Sequence, residues 1–316
     1  MLQNKIESYV EPEFDLNSHK IDILKAFESE RIPLDEVIPG LVVSQVGILV
    51  SPGGVGKSYY GLQLLFQISS GSKQKFSLGL EVQAKGPNNV MYLSFEDNKE
   101  IISRRLQTIR DHYTFVHREN TSALESAADY VSIFSLARLN LKLIDQTGNT
   151  TKLYASILNE AIALKPRLII VDTLRRSHNC DENNNGLMSS VISHFEVLAE
   201  KSRGAILLLH HEGKVGGAGT YSSRGASSIV DSARFMMRMQ IMTSLESGKL
   251  NFSDEERKRW VTVSIEKVNY SQPLKSFWLK RTPQGLLIKD NPVALSSFVP
   301  EPILKETKTK RGYGWT

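Results

Sequence analysis

The sequence predicts an α/β fold built on a mostly parallel, twisted sheet with helices on both faces. Several short runs are apolar throughout, which is typical of parallel strands that are buried on both sides. Segments with apolar residues at helical spacing alternate with these runs, as expected for strand–helix–strand units. After residue 240 the runs become shorter and are separated by turn sequences, which predicts antiparallel strands added at the C-terminal end of the sheet.

The clearest single motif is SPGGVGKS at 51–58, which lies between an apolar run and a segment with helical spacing. A strand that leads through a glycine-rich turn into a helix presents backbone N–H groups and the positive end of the helix dipole to an anion. In such a loop Lys57 reaches the β- and γ-phosphates of a nucleoside triphosphate, and the Ser58 hydroxyl binds Mg²⁺. The residues predicted to contact the nucleotide are Pro52, Gly53, Gly54, Val55, Gly56, Lys57, Ser58 and Tyr59.

One position departs from the usual phosphate-loop pattern. Glycine is expected five residues before Gly56, and Ser51 stands there. The sequence Pro52-Gly53-Gly54 can provide the bend instead, because glycines let the backbone approach phosphates without a Cβ clash. The alternative is a glycine-rich turn with a chance GKS, but the strand before it and the helix after it favour a nucleotide site.

The chain divides by pattern into three parts. Residues 1–37 hold a short amphipathic helix, with apolar residues at helical spacing in 21–27, that would pack on its own core or on a neighbouring subunit. Residues 38–290 carry the α/β pattern. Residues 291–316 lose periodicity and are predicted to form a disordered, basic tail.

Periodicity places the elements of the central part in order. Residues 71–89 are predicted to be an exposed loop. The predicted strands are 46–50, 90–95, 130–134, 167–174, 205–211, 260–268, 276–281 and 285–289, and the predicted helices follow the phosphate loop and cover 102–113, 153–164 and 187–198.

Acidic residues close two of the predicted parallel strands, where ligand chemistry gathers in such sheets. Asp172 is predicted to hold Mg²⁺ together with Ser58. The next residue is Thr173 rather than glutamate, so the carboxylate that activates water must come from elsewhere, and Glu96 is the natural choice. The alternative is that Glu96 only belongs to the start of the following helix, a role that Asp97 fits better.

A pair of histidines, His210 and His211, ends the strand predicted beside the one that bears the metal-binding aspartate. A polar group there can contact the γ-phosphate and report its presence to the following loop. The pair is equally consistent with a capped strand end, or with a metal site shared with His178, Cys180 and Asp181. The irregular spacing of those residues disfavours a metal.

The loop after the histidines, EGKVGGAGTYSSRGASS, is rich in glycine and carries Lys214 and Arg224 but no acid after Glu212. This composition predicts a mobile element that touches a phosphodiester backbone. A solvated loop without a ligand is the alternative.

The composition limits which partners the protein can bind and in which cellular compartment it is expected. The 316 residues carry a net charge of +5 and an isoelectric point near 9.1, which permits a polyanionic partner without requiring one. The single cysteine, Cys180, excludes an internal disulfide and suits a reducing cytosol. Because no apolar run approaches the roughly 20 residues that span a bilayer, we expect a cytoplasmic protein without a membrane partner.

Together these residues resemble the RecA-type ATPase core and, within it, the RepA-type hexameric replicative helicases of plasmids, grouped in the AAA_25 family. The resemblance runs from about Ile38 to about Ile288 and rests on VSPGGVGKS, YLSFEDN, VDTLRRSHNCDENNNG, LLLHHEGKVGGAG, SSRGASSIVDSARF and SIEKVNY in this order. It implies that Lys57 and Ser58 bind ATP–Mg²⁺, Glu96 is the catalytic base, Asp172 is the metal-site acid, and His210 or His211 senses the γ-phosphate.

The resemblance also implies that Arg234, in VDSARF, is an arginine finger given to the neighbouring subunit. A finger of this kind requires ATP to bind between subunits, and the resemblance therefore implies a closed, hexameric ring of identical subunits as the working form. Arg238, which helical spacing would place one turn later, is the competing residue.

Two functions remain open on these observations. The first is an ATP-driven ring helicase that translocates on single-stranded DNA, in plasmid or mobile-element replication. The second is a DNA-binding RecA-like ATPase, a recombination mediator or regulator, that does not unwind DNA. The absence of an NKxD guanine-reading motif argues against a GTPase.

Overall fold

The computed structural model describes residues 15–71, 78–82, 86, 88–116, 121–212, 233–270 and 274–294. The chain forms two compact units, Met1–Leu34 and Asp35–Thr316. In the first unit, a 3₁₀ turn at Leu16–His19 precedes helix α1 at Ile23–Glu28, and all described apolar side chains of this helix are exposed.

The second unit alternates strands and helices, as the sequence predicts. Its strands are β1 (Glu36–Ile38), β2 (Leu41–Val42), β3 (Val46–Ser51), β4 (Val90–Ser94), β5 (Val131–Ser135), β6 (Leu168–Asp172), β7 (Ala205–His211), β8 (Phe235–Ile241), β9 (Trp260–Val268), β10 (Phe277–Arg281) and β11 (Leu287–Lys289). Its described helices are α2 (Lys57–Ser69), α3 (Lys99–Val116), α4 (Thr121–Ala128), α5 (Lys152–Leu164), α6 (Leu174–Ser177), α7 (Asn185–Ser202), α8 (Ser244–Leu250) and α9 (Asp254–Arg257).

In the described residues, nine strands form one sheet in the order β11-β10-β9-β8-β3-β7-β6-β4-β5. The six strands from β8 to β5 are parallel, and β9, β10 and β11 continue the sheet in antiparallel pairs. The predicted fold class is therefore confirmed. The phosphate-loop strand β3 lies between β7 and β8, and the carboxyl ends of β3, β4, β6 and β7 meet at one edge.

Helices cover both faces of the sheet because successive strand residues point to opposite sides. One face packs Leu49, Tyr92 and Ile170 against α2 and α3. The opposite face packs Ile48 and Val171, with their neighbours, against α5 and α7. This explains why the strands are apolar at every position rather than at alternate ones.

Two predictions about local structure are wrong. The helical spacing assumed between Arg234 and Arg238 is not present, because residues 235–241 form β8, whose first five side chains are buried between β3 and β9. The loop predicted to be exposed at 71–89 contributes Leu78, Leu80 and Val82 to the core, where the Gln67 amide bonds the backbone of the first two. Tertiary packing outweighs the polar composition of this segment.

A short hairpin of β10 and β11 is fixed onto α2 beside the phosphate loop. The buried Gln63 amide donates to the Leu287 carbonyl at 2.9 Å and accepts from the Leu287 N–H at 3.0 Å. At the hairpin turn, Gly285 has φ +97° and leaves no room for a Cβ, which would lie 2.9 Å from the ring of Tyr59. The hairpin thereby holds Arg281 over the phosphate loop. In the part of the chain that is described, no helix is both long and apolar enough to cross a membrane.

Candidate active site

The phosphate loop lies between the end of β3 and the start of α2, as predicted. Gly54 and Gly56 have φ of +77° and +114°, values that favour glycine, and a Cβ on Gly54 would meet nothing within 4 Å. Helix α2 begins at Lys57 without a side-chain cap, so its first N–H groups remain available to an anion. The loop opens into a cleft of about 340 Å³.

The Lys57 ammonium turns back onto its own loop. Its Nζ donates to the Ser51 carbonyl at 3.0 Å and to Ser51 Oγ at 2.9 Å, and it lies 3.1 Å from His211 Nδ1. Burial lowers the pKa of Lys57 to about 8, although Asp172 and Glu96 act in the opposite direction. Ser51, the departure from the usual pattern, thus supplies a hydroxyl ligand to the lysine.

His211 joins this lysine to the predicted catalytic base. The ammonium can only donate, so the contact at 3.1 Å makes Nδ1 of His211 the acceptor and places the ring proton on Nε2. Nε2 lies 3.6 Å from Glu96 Oε1. The parallel register of β3 and β7 brings His211 beside the phosphate loop, because it pairs His211 with Ser51.

Glu96 lies just beyond β4, at the sheet edge expected for a residue that activates water. Its Oε1 accepts from Thr173 Oγ1 at 3.4 Å and from Arg176 Nε at 3.2 Å. Neither Glu96 nor Asp97 caps the N-terminus of α3, which was the alternative role. Asn98 caps α3 by accepting from the Ile101 N–H at 3.1 Å.

Asp97 pairs instead with Arg105 at 2.5 Å, and the Arg105 guanidinium lies over the ring of Tyr59, 5.5 Å from its centroid. This cation–π contact orients Tyr59 at the cleft. Tyr59 was predicted to contact the nucleotide. Arg105 was not among the predicted site residues.

Asp172 is buried at the end of β6. Tyr92 OH donates to its Oδ2 at 2.5 Å, and Oδ1 has no hydrogen-bond partner within the described residues. Burial raises the pKa of Asp172, while the hydroxyl groups of Tyr92 and Ser58 act against the rise. An unpaired carboxylate oxygen beside the Ser58 hydroxyl fits a divalent cation, whose charge would favour the ionised form.

His210 lies on the opposite face of the sheet from His211, because successive strand residues alternate between faces. Its side chain is buried, its Nδ1 has no partner among the described residues, and burial together with neighbouring positive charge lowers its pKa to about 4. Burial likewise lowers the pKa of His178 to about 4. Both rings are neutral at physiological pH. In the part of the chain that is described, no group of three His, Cys, Asp or Glu side chains is arranged to hold a metal ion.

Sequence reasoning missed Arg281 of β10. Its guanidinium donates to the Gly54 carbonyl at 2.9 Å and to the Val55 carbonyl, and burial lowers its pKa. No local pattern marks this residue, which lies 227 positions from its partner in the chain.

The two candidate arginine fingers differ in their burial and in their partners. Arg238 is buried in β8 and pairs with Glu212 at 2.5 Å and Glu266 at 2.7 Å. Arg234 is exposed just before β8, and its guanidinium donates to Tyr270 OH at 2.5 Å.

Because β3 and β8 run parallel, Arg234 lies at the sheet edge opposite its own phosphate loop, roughly 15–20 Å away by the rise of the strand. It therefore does not join the site formed by its own chain. Lys214 and Arg224, predicted to contact nucleic acid, lie outside the described residues.

A phosphate loop with its lysine, a strand-end aspartate and a neighbouring glutamate on a mostly parallel sheet define a P-loop ATPase. The chain belongs to the AAA domain family AAA_25, which matches residues 12–217.

Two solved structures are similar to the chain. One is the flagellar accessory protein FlaH from Methanocaldococcus jannaschii, 14% identical, with a TM-score of 0.48 over 79% of this chain and 90% of that one. The other is the KaiC-like protein PH0186 from Pyrococcus horikoshii OT3, 12% identical, with a TM-score of 0.47 over 82% of this chain and 99% of that one.

Proposed function

We propose that this protein is an ATP-dependent, ring-shaped DNA helicase that translocates on single-stranded DNA in plasmid or mobile-element replication. The observation that carries the proposal is the chain of contacts from Lys57 through His211 to Glu96. It links the group that would hold the terminal phosphate to the group that would activate water, on a strand that leads directly into the predicted DNA-binding loop.

In hydrolysis, Lys57 would leave His211 and donate to oxygens of the β- and γ-phosphates. Glu96 would accept a proton from the attacking water, and His211, released from the lysine, would be free to donate toward the γ-phosphate. Ser58 and Asp172 would hold Mg²⁺, which neutralises phosphate charge when bound.

Three assignments extend the proposal beyond a single chain. The exposed position of Arg234, far from its own phosphate loop, favours a finger that completes the site of a neighbouring subunit in a hexameric ring. Lys214 and Arg224 would contact the backbone of single-stranded DNA. The protein would act in the cytoplasm, where its ATP and DNA substrates occur.

The proposal is tested with purified protein on a forked DNA duplex. Unwinding should require ATP and Mg²⁺ and disappear in Lys57→Ala. Unwinding that persists in this variant contradicts the assignment. A DNA-stimulated ATPase that separates no fork of either polarity would instead identify a RecA-like regulator without helicase activity.

The finger is tested by mixing subunits. Arg234→Ala should bind an ATP analogue normally but lose turnover, because the finger acts on the transition state. Rings mixed with Glu96→Gln subunits should regain turnover, since some interfaces then combine an intact glutamate with an intact arginine. If mixing restores nothing, Arg234 is not a finger that acts between subunits.

A further inference from the structure

The predicted catalytic base is held by an arginine that the mechanism does not use. Arg176 lies on the single-turn helix α6, four residues after Asp172, and its Nε donates to Glu96 Oε1 at 3.2 Å. This oxygen also accepts from Thr173 and faces His211. A carboxylate oxygen that is occupied by a cation and a hydroxyl has less capacity to accept a proton from water.

Arg176 also lines a small cleft of about 180 Å³ with Arg138 and Lys142, next to the base. Lys142 Nζ donates to the backbone carbonyl of Arg176 at 2.6 Å and so fixes α6 to the cleft wall. Within the described residues, no carboxylate lies at ion-pair distance from Arg138 or Lys142.

The positive charge of this cleft is therefore incompletely balanced. Burial lowers the pKa of Lys142, and the charges of Arg176 and Arg175 lower it further. Two arginines and a lysine around a concave surface are the groups that bind phosphate oxygens. An anion in the cleft would compete with Glu96 for the Arg176 guanidinium.

We propose that Arg176 is a positioning residue that restrains Glu96 until a phosphodiester of single-stranded DNA enters the cleft of Arg138 and Lys142. The phosphate then takes the guanidinium and leaves Glu96 free to activate water. The inference rests on the proposed function, because it assigns the base role to Glu96. It adds a route by which DNA binding increases the rate of ATP hydrolysis.

The test compares Arg176→Gln with Arg175→Gln. Arg175 is the matched control because it lies on the same helix with similar exposure, 57% against 60%, and pairs with Glu182 instead of Glu96. Steady-state ATP hydrolysis is measured for both variants and the wild type, without DNA and over a series of oligothymidylate concentrations.

Without DNA, Arg176→Gln should raise kcat about two- to fivefold, the range available to an exposed ion pair, and leave the KM for ATP unchanged. Oligothymidylate should then stimulate it less than it stimulates the wild type. Arg175→Gln should match the wild type in both respects. A DNA-free kcat that is unchanged or lower in Arg176→Gln overturns the restraint.

A second variant addresses the ligand. Arg138→Gln should raise the oligothymidylate concentration that gives half-maximal stimulation, because one phosphate contact is lost. Equal stimulation by inorganic polyphosphate would overturn the assignment of the cleft to nucleic acid. If oligothymidylate does not stimulate ATP hydrolysis by the wild type, the helicase proposal is contradicted. The restraint of Glu96 is judged separately, by kcat without DNA. A higher value in Arg176→Gln supports the restraint, and an unchanged value refutes it.

Discussion

The lowered pKa of Lys57 predicts how ATP binding depends on pH. The ammonium form binds phosphates, whereas the neutral amine carries no charge for them. With a pKa of about 8, roughly nine-tenths of ligand-free molecules carry the proton at pH 7 and one-tenth at pH 9. At pH 9, binding of ATP must be accompanied by uptake of this proton. The apparent affinity for ATP should therefore fall about tenfold between pH 7 and pH 9.

The assay is a titration with a fluorescent, non-hydrolysable ATP analogue at intervals from pH 7 to pH 9.5. Lys57→Arg serves as the control, because a guanidinium stays charged throughout and its binding, though weaker, should change little with pH. A wild-type profile that is flat to pH 9.5 would refute the reasoning, since it would place the pKa of Lys57 near its ordinary value.

Two further predictions concern residues around the loop. Gln63→Leu leaves the N–H and carbonyl of Leu287 without their buried partner, so urea unfolding should show a loss of about 2–4 kcal/mol, and an unchanged midpoint would contradict this account. Tyr92→Phe removes a hydrogen bond that lowers the pKa of Asp172, so that pKa should rise further. The variant should need more Mg²⁺ for half-maximal ATPase activity, most clearly at low pH where the carboxyl group of Asp172 becomes protonated. An identical Mg²⁺ requirement in the variant and the wild type would show that Tyr92 does not help Asp172 to bind the metal.

Much of the fold was predictable because burial on both faces of a parallel sheet leaves a strong pattern in the sequence. The strands that end at Ser51, Ser94, Asp172 and His211 were all found in this way. Strand β8 was not, because its run FMMRMQI contains Arg238, a residue that is buried only because two carboxylates from other segments neutralise it.

Residues that follow an apolar run could be placed at the site from the sequence, whereas contacts that depend on strand register could not. Glu96 and Asp172 follow apolar runs, and their positions at one sheet edge could be expected because the carboxyl ends of parallel strands lie at the same edge. Which histidine faces the phosphate loop could not, because it depends on the register that pairs Ser51 with His211 and turns His210 into the core. Arg176 and Arg281 gave no signal at all, since single arginines occur commonly on helices and strands.

The sequence by itself determined the alternation of buried strands and helices, the phosphate loop, and the acidic residues that follow two of the strands. These features are local: glycine conformation, helix dipole and apolar periodicity act within a few residues. Only the tertiary structure decided that Lys57 contacts His211, that Arg176 holds Glu96, and that Arg281 lies over the loop. Those contacts join segments far apart in the chain, and strand order and register, which packing of the whole core sets, bring them together.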